Sequence, residues 1–249
     1  MFTPPEVIVT GALATKVSNI APMRYTAETI TGGLAPVHYV HGGITNAEGV
    51  LTVATPSQQE AQITEIIERS SSESFVILSQ SMGALAALSS IEKFNSPNVT
   101  AISVAPPLLY PSDIIRHPRI TTVSKMVNGG LILPSRSFAL GDSGPTQRAV
   151  DPSTLPEPLQ LAVPTELFDE IDEINENYWA RTVQAVEANR LQIVMPTEDW
   201  NKAALTASHD LPEVHYLPGP HSLITDEETL RENVRAMARL AGVLENTLR

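Results

Sequence analysis

The stretch from residue 75 to residue 88 constrains the fold of this chain more than any other. An apolar run, Phe75 to Leu78, is followed by Ser79-Gln80-Ser81-Met82-Gly83 and then by the run Ala84 to Leu88. The first run is typical of a buried strand, and the last is typical of a buried helix. The pattern therefore predicts a sharp strand-to-helix turn with Ser81 at its apex.

Ser81 has two interpretations in such a turn. A serine hydroxyl becomes a nucleophile when it is exposed, aimed and paired with a base, and a sharp turn of this kind exposes it. The turn needs small residues two positions before and after the serine, and Ser79 and Gly83 meet that need. The alternative is a serine that only caps the N-terminus of the following helix.

Composition excludes several classes of protein. The 249 residues are 42% hydrophobic, which is enough for one domain with a sizeable core. A net charge of −12 makes nucleic acid an unfavourable partner. No apolar run approaches the roughly 20 residues that span a bilayer. Because no signal peptide is evident at the start of the chain either, we expect a cytoplasmic location.

Residue types and motifs limit the chemistry further. The chain has no cysteine, which excludes a thiol nucleophile and cysteine-based metal sites. No nucleotide-binding glycine motif or metal-binding histidine pair is present, so no cofactor is expected. A small-molecule substrate is the expected partner, and the sequence does not indicate an oligomeric state.

Strand and helix patterns alternate along the chain, which predicts a mainly parallel α/β sheet with helices on both faces. Strands are expected at 6–9, 23–30, 36–40, 50–54, 75–78, 98–104, 191–195 and 214–217. Helices are expected after Pro56 with a Ser57–Glu60 capping box, from the turn to about Phe94, from Thr165 through Tyr178, at 201–208, and after a Thr225–Glu228 capping box. The proline-rich region 107–189 is interpreted as a cap or lid inserted into a single domain, 1–249.

The serine turn, Ser79 to Gly83, resembles the nucleophile elbow of the α/β-hydrolase superfamily, with serine in place of the usual first glycine. The resemblance implies an α/β-hydrolase fold with Ser81 as nucleophile. His221 lies after a late strand and before the last helix, where that family has its catalytic histidine. The acid is expected at the end of the preceding strand, where Asp199 is favoured over Glu198. Asp199 as a helix N-cap is the alternative. The order serine, acid, histidine matches the family.

An oxyanion hole in this fold uses two backbone N–H donors. One is expected from Met82, directly after the nucleophile, and the other from Gly43, because His41-Gly42-Gly43 resembles the family's His-Gly-x motif. The chain departs from the family here, since the seven positions from Gly43 to Val50 are too few for a crossover helix. Either the first crossover helix is missing and the pairing of the strands is altered, or the strand at Val50 belongs to a loop.

The resemblance implies a cofactor-independent serine hydrolase that cleaves a carboxylic ester or thioester through an acyl-enzyme on Ser81. The alternatives are C–C bond hydrolysis, lyase, cyclase or perhydrolase chemistry on the same triad, or a ligand-binding protein without turnover. Phe138 and Phe168 in the insertion are expected to contact the acyl or alcohol group of the substrate. The alternative is that the aromatic residues of the insertion only anchor it to the core.

Overall fold

The structure, a computed structural model, describes residues 3–11, 18, 20–45, 51–107, 125–127, 130–134, 160–163, 165–175, 177–199, 213–221 and 223–246. The elements, in chain order, are β1 Glu6–Thr10, α1 Ala21–Thr31, β2 Val37–Val40, β3 Gly43–Thr45, β4 Leu51–Val53, α2 Pro56–Arg69, β5 Phe75–Gln80, α3 Gly83–Phe94, β6 Val99–Val104, β7 Lys125–Val127, β8 Gly130–Pro134, β9 Gln160–Val163, α4 Thr165–Asn175, α5 Tyr178–Glu187, β10 Leu191–Pro196, β11 His215–Leu217 and α6 Glu227–Asn246. None of the helices in the described residues is long and apolar enough to cross a membrane.

The main sheet has six strands in the order β11-β10-β6-β5-β1-β2, and all its pairs are parallel. The elbow strand β5 lies near the middle, between β6 and β1. Thr10 of β1 pairs with Ser79 of β5, and Gln80 pairs with Val104 of β6. Since parallel strands end at the same edge, the carboxyl ends of β1, β5 and β6 lie side by side.

Helices cover both faces of this sheet, as predicted. Successive residues of β5 alternate between two cores, with Ile77 in one and Leu78 in the other. The first core includes apolar residues of α2, α3, α4 and α5, and the second includes Met23 of α1 and Met237 of α6. Two-sided burial explains why the central strands are continuous apolar runs.

The predicted strand at 23–30 is wrong, because these residues belong to helix α1. Pro22 lies in the first turn of α1, where its missing N–H costs nothing, and Gly32 ends the helix with φ 56°. Met23, Thr26 and Ala27 are buried at helical spacing. The helix connects β1 to its parallel neighbour β2, so the crossover lies before β2 and not after it.

A second sheet accounts for the short spacing between Gly43 and Val50. Its strand order is β3-β4-β9-β8-β7, and β3 pairs with β4 in antiparallel fashion, Gly43 opposite Val53. Antiparallel strands need no crossover helix, so the chain from Gly43 to Val53 is long enough. The expected strand near Val50 is present as β4, and it pairs in parallel with β9 from the region 107–189. The predicted insertion thus shares a sheet with the segment after β2.

Helix boundaries differ from the sequence prediction in three places. The capping box of α2 is formed by Thr55 and Gln58, whereas Ser57 donates through Oγ and its backbone N–H to Glu170 of α4. The helix expected from Thr165 through Tyr178 is two helices, α4 and α5. The cap of α6 is Asp226, which accepts from the backbone N–H of Thr229 at 2.8 Å. Hydrogen bonds from Thr229 hold the pKa of Asp226 below its usual value. The predicted helix at 201–208 lies outside the described residues.

Candidate active site

Ser81 lies at the junction of β5 and α3 with a left-handed backbone, φ 51°. This conformation is uncommon for a residue with a Cβ and typically costs about 1 to 3 kcal/mol, so the surrounding structure must hold it. The Ser81 N–H donates to Val104 O at 2.9 Å, and its carbonyl accepts from the N–H of Ala84 at 3.0 Å. The turn is therefore fixed by β6 on one side and by the start of α3 on the other.

Gly83 is required by a close approach to the loop after β1. A Cβ placed on Gly83 would lie 2.9 Å from the carbonyl oxygen and 3.0 Å from the nitrogen of Gly11. Both contacts are with backbone atoms, which cannot rotate away. The small residue at this position thus makes room for the backbone of Gly11, directly after β1.

Ser79, at the position where the nucleophile elbow of α/β-hydrolases usually has its first glycine, lies in the interior of the sheet. Its hydroxyl is fully buried and lies 2.8 Å from the hydroxyl of Ser103 on β6. A buried hydroxyl without a partner would be unfavourable, and this pair satisfies both serines. A hydroxymethyl group is therefore tolerated at a position where glycine is usual.

His221 and Asp199 are in direct contact. Nδ1 of His221 lies 2.7 Å from Oδ2 of Asp199, whose side chain has no exposed area, while the His221 side chain is 17% exposed. The neighbouring Glu198 is exposed. A buried carboxylate on one ring nitrogen fixes the tautomer and leaves Nε2 available to accept a proton.

The loops that carry the acid and the histidine are joined through their backbones. Thr197 N–H donates to Leu217 O at 2.8 Å, and Glu198 N–H donates to Gly219 O at 3.0 Å. The parallel pairing of β10 with β11 extends into these bonds, since Pro196 is opposite Leu217. The carboxyl ends of two neighbouring strands therefore bring Asp199 to His221 across 22 positions of sequence.

The elbow and the histidine loop also touch. The side-chain amide of Gln80, the residue before Ser81, donates to the backbone oxygen of His221 at 3.1 Å. Among the described residues no hydrogen bond joins Ser81 Oγ to His221. A serine–histidine contact of this kind often tightens only when substrate is bound.

The two predicted oxyanion donors lie in different places. Met82 is the N-cap of α3, at the positive end of the helix dipole and next to Ser81. Gly43 begins β3 in the second sheet, and β1 lies between β2 and the elbow strand. The loop that meets the elbow follows β1 and opens with Gly11. Of the described residues, the backbone of Gly11 packs against Gly83 in the serine turn, next to Met82.

The predicted substrate-contacting residues are described only in part. Phe138 lies outside the described residues, and Phe168 lies on α4, where its side chain is not described. On the same helix Leu167 and Ile171 are buried in the core with Tyr178 of α5. Burial raises the pKa of the Tyr178 hydroxyl. These neighbours anchor α4 and α5 to the main domain.

Two residues near the site were not found by sequence reasoning. Gln80 lies within the serine motif, but the motif predicted roles only for Ser81 and for the small residues Ser79 and Gly83. Asn233 is fully buried and occupies the apolar face of α6 between Leu230 and Val234. A polar residue at a buried helical position was the available signal. In the described part of the chain no cluster of three or more histidine or acidic residues is arranged to hold a metal ion.

Comparison with known proteins identifies the fold. No protein-family model and no curated protein matches the chain. Among solved structures it is similar to a metagenome-derived lipolytic enzyme (16% identity, 96% of this chain and 94% of the other, TM-score 0.56). It is also similar to Est1E from Butyrivibrio proteoclasticus (11% identity, 99% of this chain and 90% of the other, TM-score 0.58). A third similar structure is a monoacylglycerol lipase from Paleococcus ferrophilus (14% identity, 97% of this chain and 96% of the other, TM-score 0.53). At such low sequence identities the structural similarity identifies the fold alone, and it agrees with the parallel sheet and the elbow described above. The chain has the α/β-hydrolase fold.

Proposed function

We propose that this protein is a serine hydrolase that cleaves a carboxylic ester or thioester through an acyl-enzyme on Ser81. The observation that carries the proposal is the buried Asp199 carboxylate 2.7 Å from His221, in a loop that is bonded to Gln80, the residue before the left-handed Ser81. The likeness to a lipolytic enzyme and to a monoacylglycerol lipase is consistent with it.

In the proposed mechanism Ser81 Oγ attacks the carbonyl carbon while His221 Nε2 accepts its proton. Asp199 accepts the hydrogen bond from Nδ1–H of His221 and stabilises the imidazolium that forms. The tetrahedral intermediate collapses when His221 returns the proton to the departing alcohol or thiol. Water, with His221 again as base, then attacks the acyl-enzyme and releases the acid.

The negative oxygen of the intermediate needs donors that are in place before the reaction. We assign one to the backbone N–H of Met82, at the start of α3. For the second we favour the loop opened by Gly11 over Gly43, because the backbone of Gly11 is packed against Gly83. One lost donor of this type typically costs about 100- to 1000-fold in kcat.

We also propose that part of the region 107–189 covers the carboxyl ends of the strands and selects the substrate. Its strand β9 pairs with β4 in the second sheet, which ties the region to the segment after β2. Phe138 and Phe168 remain our candidates for contact with an apolar group. A lid of this kind would set chain-length preference without taking part in the chemistry.

The test is covalent labelling combined with turnover. Intact-protein mass spectrometry after fluorophosphonate treatment should show one adduct on the wild type and none on Ser81→Ala. A panel of acyl esters and thioesters of graded chain length should be hydrolysed only by the wild type. The mutant should keep its fold, since removing an Oγ at a half-buried turn leaves the backbone bonds intact. An adduct that persists on Ser81→Ala would remove the assignment of the nucleophile.

A further inference from the structure

We propose that two side-chain amides, Gln80 and Asn233, are positioning residues that hold the histidine loop, of which residues 218–221 and 223 are described, in its reactive geometry. The inference rests on the proposed function, since it concerns how His221 is presented to Ser81. The side-chain amides of both residues donate to backbone carbonyls of this loop. Both act on the backbone of the loop and not on the imidazole.

Asn233 holds the loop from the side of α6. Its Nδ2 donates to Pro218 O at 2.9 Å and to Leu223 O at 3.1 Å, which lie three positions before and two positions after His221. The side chain has no exposed area. Two carbonyl acceptors facing one side chain require an NH₂ group, which offers two donors. A carboxylate of the same shape would only repel them, so an amide fits this position and an acid does not.

Gln80 holds the loop from the side of the elbow. The residue is 5% exposed, and its Nε2 donates to the backbone oxygen of His221 itself at 3.1 Å. Gln80 is covalently joined to Ser81 and is fixed in β5 by its pairing with Val104. The bond therefore sets the distance between the nucleophile's strand and the backbone of the base.

The loop needs such support because its backbone is unusual. Leu223 has φ 58° and Gly219 has φ 116°, and a left-handed conformation at a leucine is unfavourable. The N–H of Leu223 donates to Pro220 O at 2.8 Å, which closes a turn around His221. The two amides add three bonds to carbonyls of the histidine loop, those of Pro218, His221 and Leu223. Without them the imidazole keeps Asp199 but loses its fixed position relative to Ser81.

The experiment compares Gln80→Met and Asn233→Leu with the matched control Gln192→Met. Gln192 is also a buried strand glutamine that bonds a histidine, His215 at 2.7 Å, but it lies outside the loop. We expect kcat to fall by roughly 10-fold in Gln80→Met with KM within about 2-fold, since small misplacement of a catalytic group is costly. Gln192→Met should lose comparable thermal stability and keep its kcat.

A spectroscopic readout is independent of turnover. The His221 Nδ1–H proton, bonded to Asp199, should give a low-field ¹H NMR resonance that is absent from His221→Ala. It should shift or broaden in Gln80→Met and Asn233→Leu and stay unchanged in Gln192→Met. If the wild type neither hydrolyses esters nor binds fluorophosphonate, the proposed function fails, and this resonance still tests the positioning role.

The outcomes that overturn the inference are specific. A Gln80→Met protein with wild-type kcat and an unchanged resonance would exclude the role of Gln80 in holding the loop. Equal losses of kcat in Gln80→Met and Gln192→Met would show a merely structural effect. Should Asn233→Leu fail to fold, the kcat and the resonance of Gln80→Met decide whether side-chain amides hold the histidine loop.

Discussion

Replacing Gly83 with alanine tests the packing between the elbow and the loop after β1. The added Cβ would lie 2.9, 3.0 and 3.1 Å from the oxygen, nitrogen and carbonyl carbon of Gly11. The shortest of these is about 0.5 Å below ordinary van der Waals contact, so one of the two backbones must move. Overpacking of this kind typically costs about 1 to 3 kcal/mol. The higher helix propensity of alanine offsets up to about 1 kcal/mol of this overpacking cost, because residue 83 is the first residue of α3.

The control is Gly242→Ala in α6, where an added Cβ meets nothing within 4 Å. This change should raise the free energy of unfolding by about 0.5 to 1 kcal/mol. The difference between the two variants in urea unfolding isolates the Gly11 contact and should be about 1 to 3 kcal/mol. A shift of about 0.5 Å at the elbow should also lower kcat roughly 10-fold, whereas Gly242→Ala stays at the wild-type rate. The reasoning is refuted if Gly83→Ala is as stable as Gly242→Ala and as active as the wild type.

Two further predictions concern the acid and the lid. Asp199→Asn should lower kcat by several orders of magnitude, because it disfavours the tautomer of His221 that catalysis needs, while Glu198→Gln, at an exposed position, should change kcat less than about 3-fold. Pre-steady-state and steady-state rates of both variants measure these losses. A larger loss of kcat in Glu198→Gln than in Asp199→Asn would assign the acid to Glu198. Phe138→Ala and Phe168→Ala should change the chain-length preference on the ester panel at near-normal melting temperature. Lost stability with unchanged preference would instead make these aromatics anchors of the insertion.

Local patterns in the sequence were sufficient for the elements that depend on neighbours along the chain. The apolar run of β5, the small residues after it and the proline and glycine turns around the late strands predicted the elbow, β6, β10 and β11 close to their observed bounds. The overall fold class followed from the alternation of such elements. Asp199 was favoured as an acid at the end of the strand that precedes His221, and the structure brings it to His221, as a role in catalysis requires.

Tertiary structure decided what depends on partners far away in sequence. Residues 23–30 contain a loose apolar alternation, but packing of α1 against α6 and the sheet selects the helix. The pairing of β4 with β9 joins residues 51 and 161, and no local signal specifies it. Strand order has the same origin, since the parallel pairing of β1 with β5 is what brings Gly11 against Gly83 of the elbow. A sequence records which segments form strands, whereas the order of strands in a sheet is set by the burial of all of them together.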